Sequence, residues 1–304
     1  MIRFNIEDST TATKFAQTRL PGLTDEKLKK LFKIKAMHKN GEPLKKDAPL
    51  APGDILELFT EGVFDEYTPA PVTVYEDENI IIYNKPCGMA CDYPHEKREV
   101  TVLTFAEEHM RKTGEYNRDI LAVPYLCTPL DRYTGGLVLI AKDENVFLTV
   151  SEALKQRRIR RFFTLLVCGN TLKASGELHH HIITNSKKDT VKIQNSPGNM
   201  SLPVVTRYRV KTSNHILTVI EAEPVTDRLH QIRAQFQFAD MPILGDEEFG
   251  NRKNNAKYGI HHECLNETRF EFCVGQHSIL SYLDGKKFEI GYDALPYFPG
   301  LIYE

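Results

Sequence analysis

"TPLDRYTGGLVLIAKDENV", residues 128–146, carries the charged pair Asp131-Arg132 just ahead of the glycines Gly135 and Gly136 and the apolar run Leu137, Val138, Leu139, Ile140 and Ala141. A short apolar run closed by glycines on one side and by Lys142, Asp143 and Glu144 on the other has the length of a buried strand, not of a helix. A charged pair at the mouth of a core strand has two readings. It is a capped turn with a surface ion pair, or a place where a carboxylate meets a substrate.

The flanking sequence sets the architecture. Residues 145–156 have helical spacing, and upstream "VTVYEDENIIIYNKP" gives two short β runs around an acidic turn, followed by a helix over 103–113. Further strands are expected at 162–167, 204–210 and 217–222, a helix at 228–238, and a flexible polar loop at 251–256. Strands and helices interleave without the even alternation of a doubly wound sheet or barrel, which predicts an α+β domain on a mixed, largely antiparallel sheet flanked by helices.

The front of the chain differs. A helix capped by Thr24 carries Leu28, Leu31, Phe32 and, at its edge, Ile34; a second helix precedes it at 12–20. The Asn40-Gly41 turn and the Pro52-Gly53-Asp54 turn lead into a strand at 55–59. From Thr60 to Pro71 periodicity is lost and prolines accumulate, as in linkers. These signals divide the chain into a small α/β domain at 1–62, a linker at 63–71 and a larger domain at 72–304.

Composition narrows the function classes. The 304 residues are 41% hydrophobic and 26% charged, as in a globular chain. No apolar run approaches the roughly 20 residues that span a bilayer, and "MIRFNIEDST" lacks the basic and apolar regions of a secretory signal, so a cytoplasmic monomer is expected. The six cysteines are scattered, without the paired spacing of a zinc site or the density of a disulfide scaffold. His179, His180 and His181 are adjacent, but neighbours on a strand point to opposite faces and cannot share a metal. Neither metal nor cofactor is expected. The net charge of −2 gives no global case for a nucleic-acid partner. Two local stretches do: residues 27–46 hold eight lysines, and "KQRRIRR", 155–161, holds five basic residues in seven. Each is either a solvated face or a phosphate-binding patch.

Two further constellations accompany the opening one. "YNKPCGM", 83–89, ends a strand in Asn-Lys-Pro. "TDRLHQIRAQFQFADMPILGDEEFG", 226–250, read as a helix from Arg228, places Leu229, Ile232 and Phe236 on one stripe. Arg228, Gln231 and Gln235 then share one flank, and His230, Arg233 and Gln237 the other.

Together these segments resemble the RluA-type family of RNA pseudouridine synthases. The family's His-Arg-Leu-Asp-Arg-x-Thr-Ser-Gly-Leu is matched by Leu130, Asp131, Arg132, Thr134, Gly136 and Leu137, and its Asn-Lys-Pro-x-Gly by Asn84, Lys85, Pro86 and Gly88. Thr-Gly-Arg-x-His-Gln-Ile-Arg is matched by Thr226, Arg228, His230, Gln231, Ile232 and Arg233, and Pro-Ile-x-Gly-Asp by Pro242, Ile243, Gly245 and Asp246. The first sixty or so residues look like the alpha-L RNA-binding domain that many of these enzymes carry.

The resemblance implies isomerisation of specific uridines to pseudouridine in ribosomal or transfer RNA, on the pseudouridine synthase fold and without a cofactor. Asp131 would act at the sugar of an everted uridine, Arg228 would be its cationic partner, and Phe163 would stack on the base. RNA contacts would come from Arg132, Lys85, Arg161, His230, Gln231, Arg233, Lys29, Lys30 and Lys33. The chain departs from the pattern where Thr128-Pro129 replace His-Arg, Asp227 replaces glycine, Arg161 replaces lysine and Phe163 replaces tyrosine. Two other classes compete: a non-catalytic RNA-binding or assembly factor on the same fold, and a glycosidase whose second carboxylate would be Asp143 or Asp246.

Overall fold

The structure, a computed structural model, describes residues 2–6, 8–19, 25–58, 70–92, 100–169, 173–185, 190–213 and 216–291. Thr24, most of the expected linker and the final "ALPYFPGLIYE" lie outside the described residues. The chain divides into two compact units, 1–70 and 71–304.

The first unit comprises β1 (Ile2–Asn5), β2 (Thr10–Thr11), α1 (Ala12–Arg19), α2 (Asp25–Lys33), β3 (Met37–Lys39), β4 (Glu42–Pro43), β5 (Pro49–Leu50) and β6 (Ile55–Leu58). Its main sheet runs β1-β6-β3-β4, with β2 and β5 paired apart. Leu28 and Leu31 of α2 pack with Ala12, Ala16, Met37 and Leu56, the apolar stripe expected of that helix. Ile34 lies past the helix end and is 48% exposed. Asn40 and Gly41, with φ of 52° and 83°, form the tight turn between β3 and β4. Asn40 also donates to Asp54 Oδ1 at 2.8 Å and accepts the Ile55 amide at 2.7 Å, joining the two expected turns. Lys29, Lys30 and Lys33 are exposed on α2.

The second unit comprises β7 (Val72–Glu76), β8 (Ile80–Lys85), α3 (Val102–Thr113), β9 (Tyr125–Leu126), β10 (Gly135–Ala141), α4 (Glu144–Lys155), β11 (Ile159–Cys168) and β12 (Ser175–Asn185). It continues with β13 (Thr190–Gln194), β14 (Leu202–Ser213), β15 (Leu217–Pro224), α5 (Gln231–Phe238), α6 (Arg252–Tyr258), β16 (Leu265–Phe272) and β17 (Lys287–Glu289). One sheet holds them in the order β13-β12-β14-β15-β11-β16-β10-β8-β7, with β9 on β10 and β17 on β16. Every neighbouring pair is antiparallel except β10 with β16, which run parallel and meet only at Gly135↔Asn266 and Gly136↔Glu267. This is the mixed, largely antiparallel α+β sheet that the irregular interleaving implied.

β8 and β10 are apolar on both faces because a helix covers each. Ile81, Tyr83, Val138 and Ile140 meet Val102, Ala106 and Met110 of α3, whereas Ile80, Ile82, Leu137 and Leu139 meet Val146 and Val150 of α4. Both helices start at side-chain caps: Thr101 accepts the Thr104 amide, and Asp143 accepts the Val146 amide at 2.9 Å. α5 covers one face of β11 and β15, where Ile232 and Phe236 meet Phe163, Leu165, Ile220 and Ala222.

The opposite face of β11 and β15 is apolar at Leu166, Leu217 and Val219, which pack with Leu244, Ile260 and Cys264, and charged toward its other end. Arg157 and Arg160 both pair with Glu223, Arg160 also reaches Glu271, and Arg269 pairs with Glu221. The basic run at 155–161 is therefore largely neutralised by glutamates from other strands and is not the open phosphate-binding cluster that it resembles in sequence.

Two element assignments change. α5 begins at Gln231, not Arg228, because His230 takes the left-handed conformation at φ 49° and interrupts the helix there. Residues 251–256 are not a loop but lead into α6: the Asn251 side chain accepts the Lys253 and Asn254 amides, and Gly259 ends the helix. No described helix is long and apolar enough to cross a membrane.

Candidate active site

Asp131 lies on the loop that enters β10, and several unrelated contacts hold that loop. Thr128 is buried, and its hydroxyl accepts the Leu139 amide at 2.8 Å. Leu130 donates its amide to Cys91 Sγ at 3.3 Å. Lys85, from the Asn-Lys-Pro motif, is 1% exposed, and its ammonium donates to the carbonyls of Pro86, Met89 and Arg132 at 3.2, 2.8 and 2.9 Å. The Arg132 carbonyl also accepts the Gly88 amide at 2.9 Å. The motif thus fastens the turn after β8 to the loop of Asp131. Burial pulls the Lys85 pKa down. Expected as an RNA contact, Lys85 instead faces inward, where three carbonyls accept from its ammonium.

The glycines of the opening stretch serve the sheet. Gly136 has φ +110°, and a Cβ there would collide with the backbone of Glu267 on β16. They let a parallel strand approach closely.

Asp131 itself is 29% exposed, in a cleft that Phe163, Arg161, Asp227, Arg228 and His230 also line. His230 Nδ1 lies 2.8 Å from Asp131 Oδ2, and Arg233 Nη1 donates to the same oxygen at 2.8 Å. The remaining edge of Arg233 is held by Asp246, fully buried, through Nε at 2.7 Å and Nη2 at 3.0 Å. Asp246 is fixed in turn by the amides of Glu248 and Phe249. Burial raises the Asp131 pKa, but His230 and Arg233 more than offset it and leave the carboxyl below the ordinary aspartate range. Both hydrogen bonds fall on Oδ2, and no described residue makes one to Oδ1.

The guanidinium beside Asp131 is therefore that of Arg233, not of Arg228. Arg228 is exposed at the cleft and donates to the Asp227 carbonyl at 3.0 Å. The physical reason is the helix start: with His230 left-handed, residues 228–230 lie before the helix, and the 100° spacing that grouped Arg228 with Gln231 does not apply. His230 and Arg233, expected as RNA contacts, face the carboxylate instead. Gln231 is 4% exposed and bonds to Thr226, Thr206 and the Val205 carbonyl, tying the start of α5 to β14.

Across the cleft, Phe163 is 6% exposed, and the Arg161 guanidinium lies 5.4 Å from its ring centre. Arg161 makes a two-pronged contact with Glu267, at 2.6 and 2.8 Å, and reaches Asp227 at 3.2 Å. It is thus an anchored cation under the aromatic and not a free phosphate ligand. Asp227, which replaces the family's glycine, is not among the residues of positive φ, so no unusual backbone angle is needed there. Arg132 is exposed beside Asp131, with one guanidinium nitrogen 3.3 Å from the Gly88 carbonyl.

Sequence reasoning missed two buried acids, Glu263 and Glu267. Glu263 accepts the Thr134 hydroxyl at 3.0 Å, and burial raises its pKa. Neither stands in a motif, and each meets its partner only through strand pairing. Asp246 was visible in Pro-Ile-x-Gly-Asp, but its partner was not. It is consumed by Arg233, and Asp143 caps α4, so neither offers the second carboxylate of a glycosidase.

Residues 79–238 match the model of the family described as RNA pseudouridylate synthase. The chain is 26% identical over 273 residues to the ribosomal large subunit pseudouridine synthase C of Rickettsia bellii, covering 83% of this chain and 87% of that one. It is 25% identical over 276 residues to the protein of the same name from Vibrio cholerae, covering 85% and 83%. Among solved structures, the human protein RNA pseudouridylate synthase domain containing 4 superposes with a TM-score of 0.55 at 18% identity, over 66% of this chain and 83% of that chain.

Proposed function

Because the chain belongs to the RNA pseudouridylate synthase family, an isomerase family, we propose that its cleft converts specific uridines of ribosomal RNA to pseudouridine with Asp131 as the catalytic carboxylate. The ribosomal target follows the names of the Rickettsia and Vibrio relatives. The reaction breaks the bond between uracil N1 and the sugar, turns the base, and rejoins it through C5; C5 gives up a proton and N1 takes one up, so atoms are conserved.

The observation that carries this reading is the one-sided hold on Asp131. A carboxylate kept ionised by Arg233 and His230 through one oxygen, on a partly exposed side chain that lines the cleft, is ready to act at the sugar of an everted nucleoside. Arg233 and His230 are positioning residues in this scheme, and Phe163 supplies an apolar face for the flipped uracil. Having no hydroxyl, Phe163 cannot itself relay a proton. Arg132 and Arg228, both exposed at the cleft, meet the RNA backbone, and Lys29, Lys30 and Lys33 of the first unit extend the contact as a small RNA-binding domain. RNA affinity then falls with added salt, and replacing those three lysines by alanine makes the log–log slope shallower. A non-catalytic clamp would have no use for such a carboxylate.

The test is Asp131→Asn, which keeps the size and removes the charge. Ribosomal RNA incubated with the wild-type protein should acquire pseudouridine at defined positions, and RNA incubated with the variant should not. Equal yields would remove Asp131 from the chemistry.

A further inference from the structure

Two residues beyond Asp131, the ring of Tyr133 lies face to face with the imidazole of His262, with centroids 4.0 Å apart and planes 6° from parallel. Tyr133 is 40% exposed, although it sits on the loop between Asp131 and Thr134, both of which line the cleft. The next residue on each side is joined as well, since the buried Thr134 donates to the buried Glu263 at 3.0 Å. Two adjacent cross-links, one aromatic and one polar, therefore fix the Tyr133 ring in place. Packing alone does not explain an aromatic that is immobilised yet turned toward solvent, because burying the ring would be the more favourable use of its apolar surface.

We infer that Tyr133, backed by His262, is a stacking platform for the RNA base next to the target uridine. This rests on the pseudouridine synthase reading above. Swinging a uridine out of its stack strips the neighbouring base of a partner, at a cost of a few kcal/mol. An aromatic face beside the cleft offsets that loss and tolerates any base, since every base has a π face. The chain from Asp131 to Tyr133 spans at most about 7 Å, the scale of a single nucleotide step. Arg132, exposed between them, meets the phosphate that joins the everted nucleotide to the stacked one. Neither Tyr133 nor His262 belongs to the motifs that mark the family in this sequence, so the platform sets how this chain holds the neighbouring base, and with it the sequence context that it accepts.

The test uses full-length protein and a synthetic stem-loop copied from around a uridine that the wild-type enzyme modifies in ribosomal RNA, with the fluorescent base 2-aminopurine on either side of that uridine in turn. Bound to Asp131→Asn protein, which holds RNA without turning it over, the probe at one neighbouring position stays quenched by the tyrosine. Adding Tyr133→Ala should brighten that probe and weaken binding roughly tenfold, while adding Tyr133→Phe, which keeps the ring, should restore both. Identical fluorescence and affinity with alanine and phenylalanine, or no quenched position in the parent complex, would overturn the platform. Failure of the wild-type protein to modify any uridine is a separate result that would sink the enzymatic reading instead.

Discussion

Two carboxylate–guanidinium pairs flank the cleft, and they are built in opposite ways. At Glu267–Arg161 the carboxylate is fully buried and both its oxygens are taken by the arginine, and the only partner at the surface is Asp227, 79% exposed. At Asp131–Arg233 the arginine has its second edge locked by a different acid, Asp246, and touches Asp131 through one oxygen only, leaving that carboxyl partly exposed. The same two chemical groups make a structural tie when the fork is satisfied, and leave a partly exposed carboxylate in the cleft when the fork is filled by a third residue and only its corner is offered. What separates the two is whether the arginine takes both oxygens or one.

The sharpest way to break this contrast is to neutralise each acid in turn. Asp131→Asn is expected to lower pseudouridine formation by roughly a thousandfold or more, with little change in thermal stability, because Arg233 still has Asp246. Glu267→Gln should do the reverse. A buried guanidinium losing its charged partner costs about 3–5 kcal/mol, seen as a drop in denaturant midpoint, with activity surviving in whatever remains folded. If Glu267→Gln abolished turnover in fully folded protein, the division of labour would be wrong.

Arg233→Gln is expected to cost roughly a hundredfold in kcat/KM and to move the pH profile. The Asp131 pKa is depressed in the folded protein, so its contribution to stability and its ionised, active form are both present above the unfolded carboxylate value and lost only as pH falls through the lower folded value. Without Arg233 less of the burial effect is offset, and the acid limb of kcat/KM should shift to higher pH; a limb that stayed put would detach Arg233 from the carboxylate. The smallest effect is reserved for Asp227→Asn at the surface end of the other pair: a change of about 1 °C or less in Tm, measured by thermal unfolding.

The strand core was legible because it obeys simple periodicity. The run at 137–141 could only be a buried strand, and the segments around it, α3 and α4 included, carry strong spacing and side-chain caps. The place of Asp131 in the cleft was legible too, since Leu-Asp-Arg with its downstream threonine and glycine is dense in information. Its cation was not. Arg228 and Arg233 stand in one short segment, and choosing between them requires knowing that His230 turns left-handed, a conformation that no glycine or asparagine announces. The arginines of 155–161 misled for a different reason. Alternation on β11 sends Arg160 and Arg161 to opposite faces, and each meets glutamates more than sixty residues away in sequence, a neutralisation that no local reading can detect. α6 was overlooked because its seven residues carry little apolar patterning, even though Asn251 and Gly259 bracket it with ordinary helix-end chemistry.

The parallel seam between β10 and β16 has a consequence for the whole site. Asp131 hangs from one bank of it, while Phe163 and Arg233 stand on the other, and the two strands pair at Gly135 with Asn266 and at Gly136 with Glu267, next to the Thr134–Glu263 hydrogen bond and the Tyr133–His262 stack. A single methyl group at position 136 would therefore act as a wedge, prising the bank of Asp131 from that of Phe163, so the width of the cleft depends on one missing side chain.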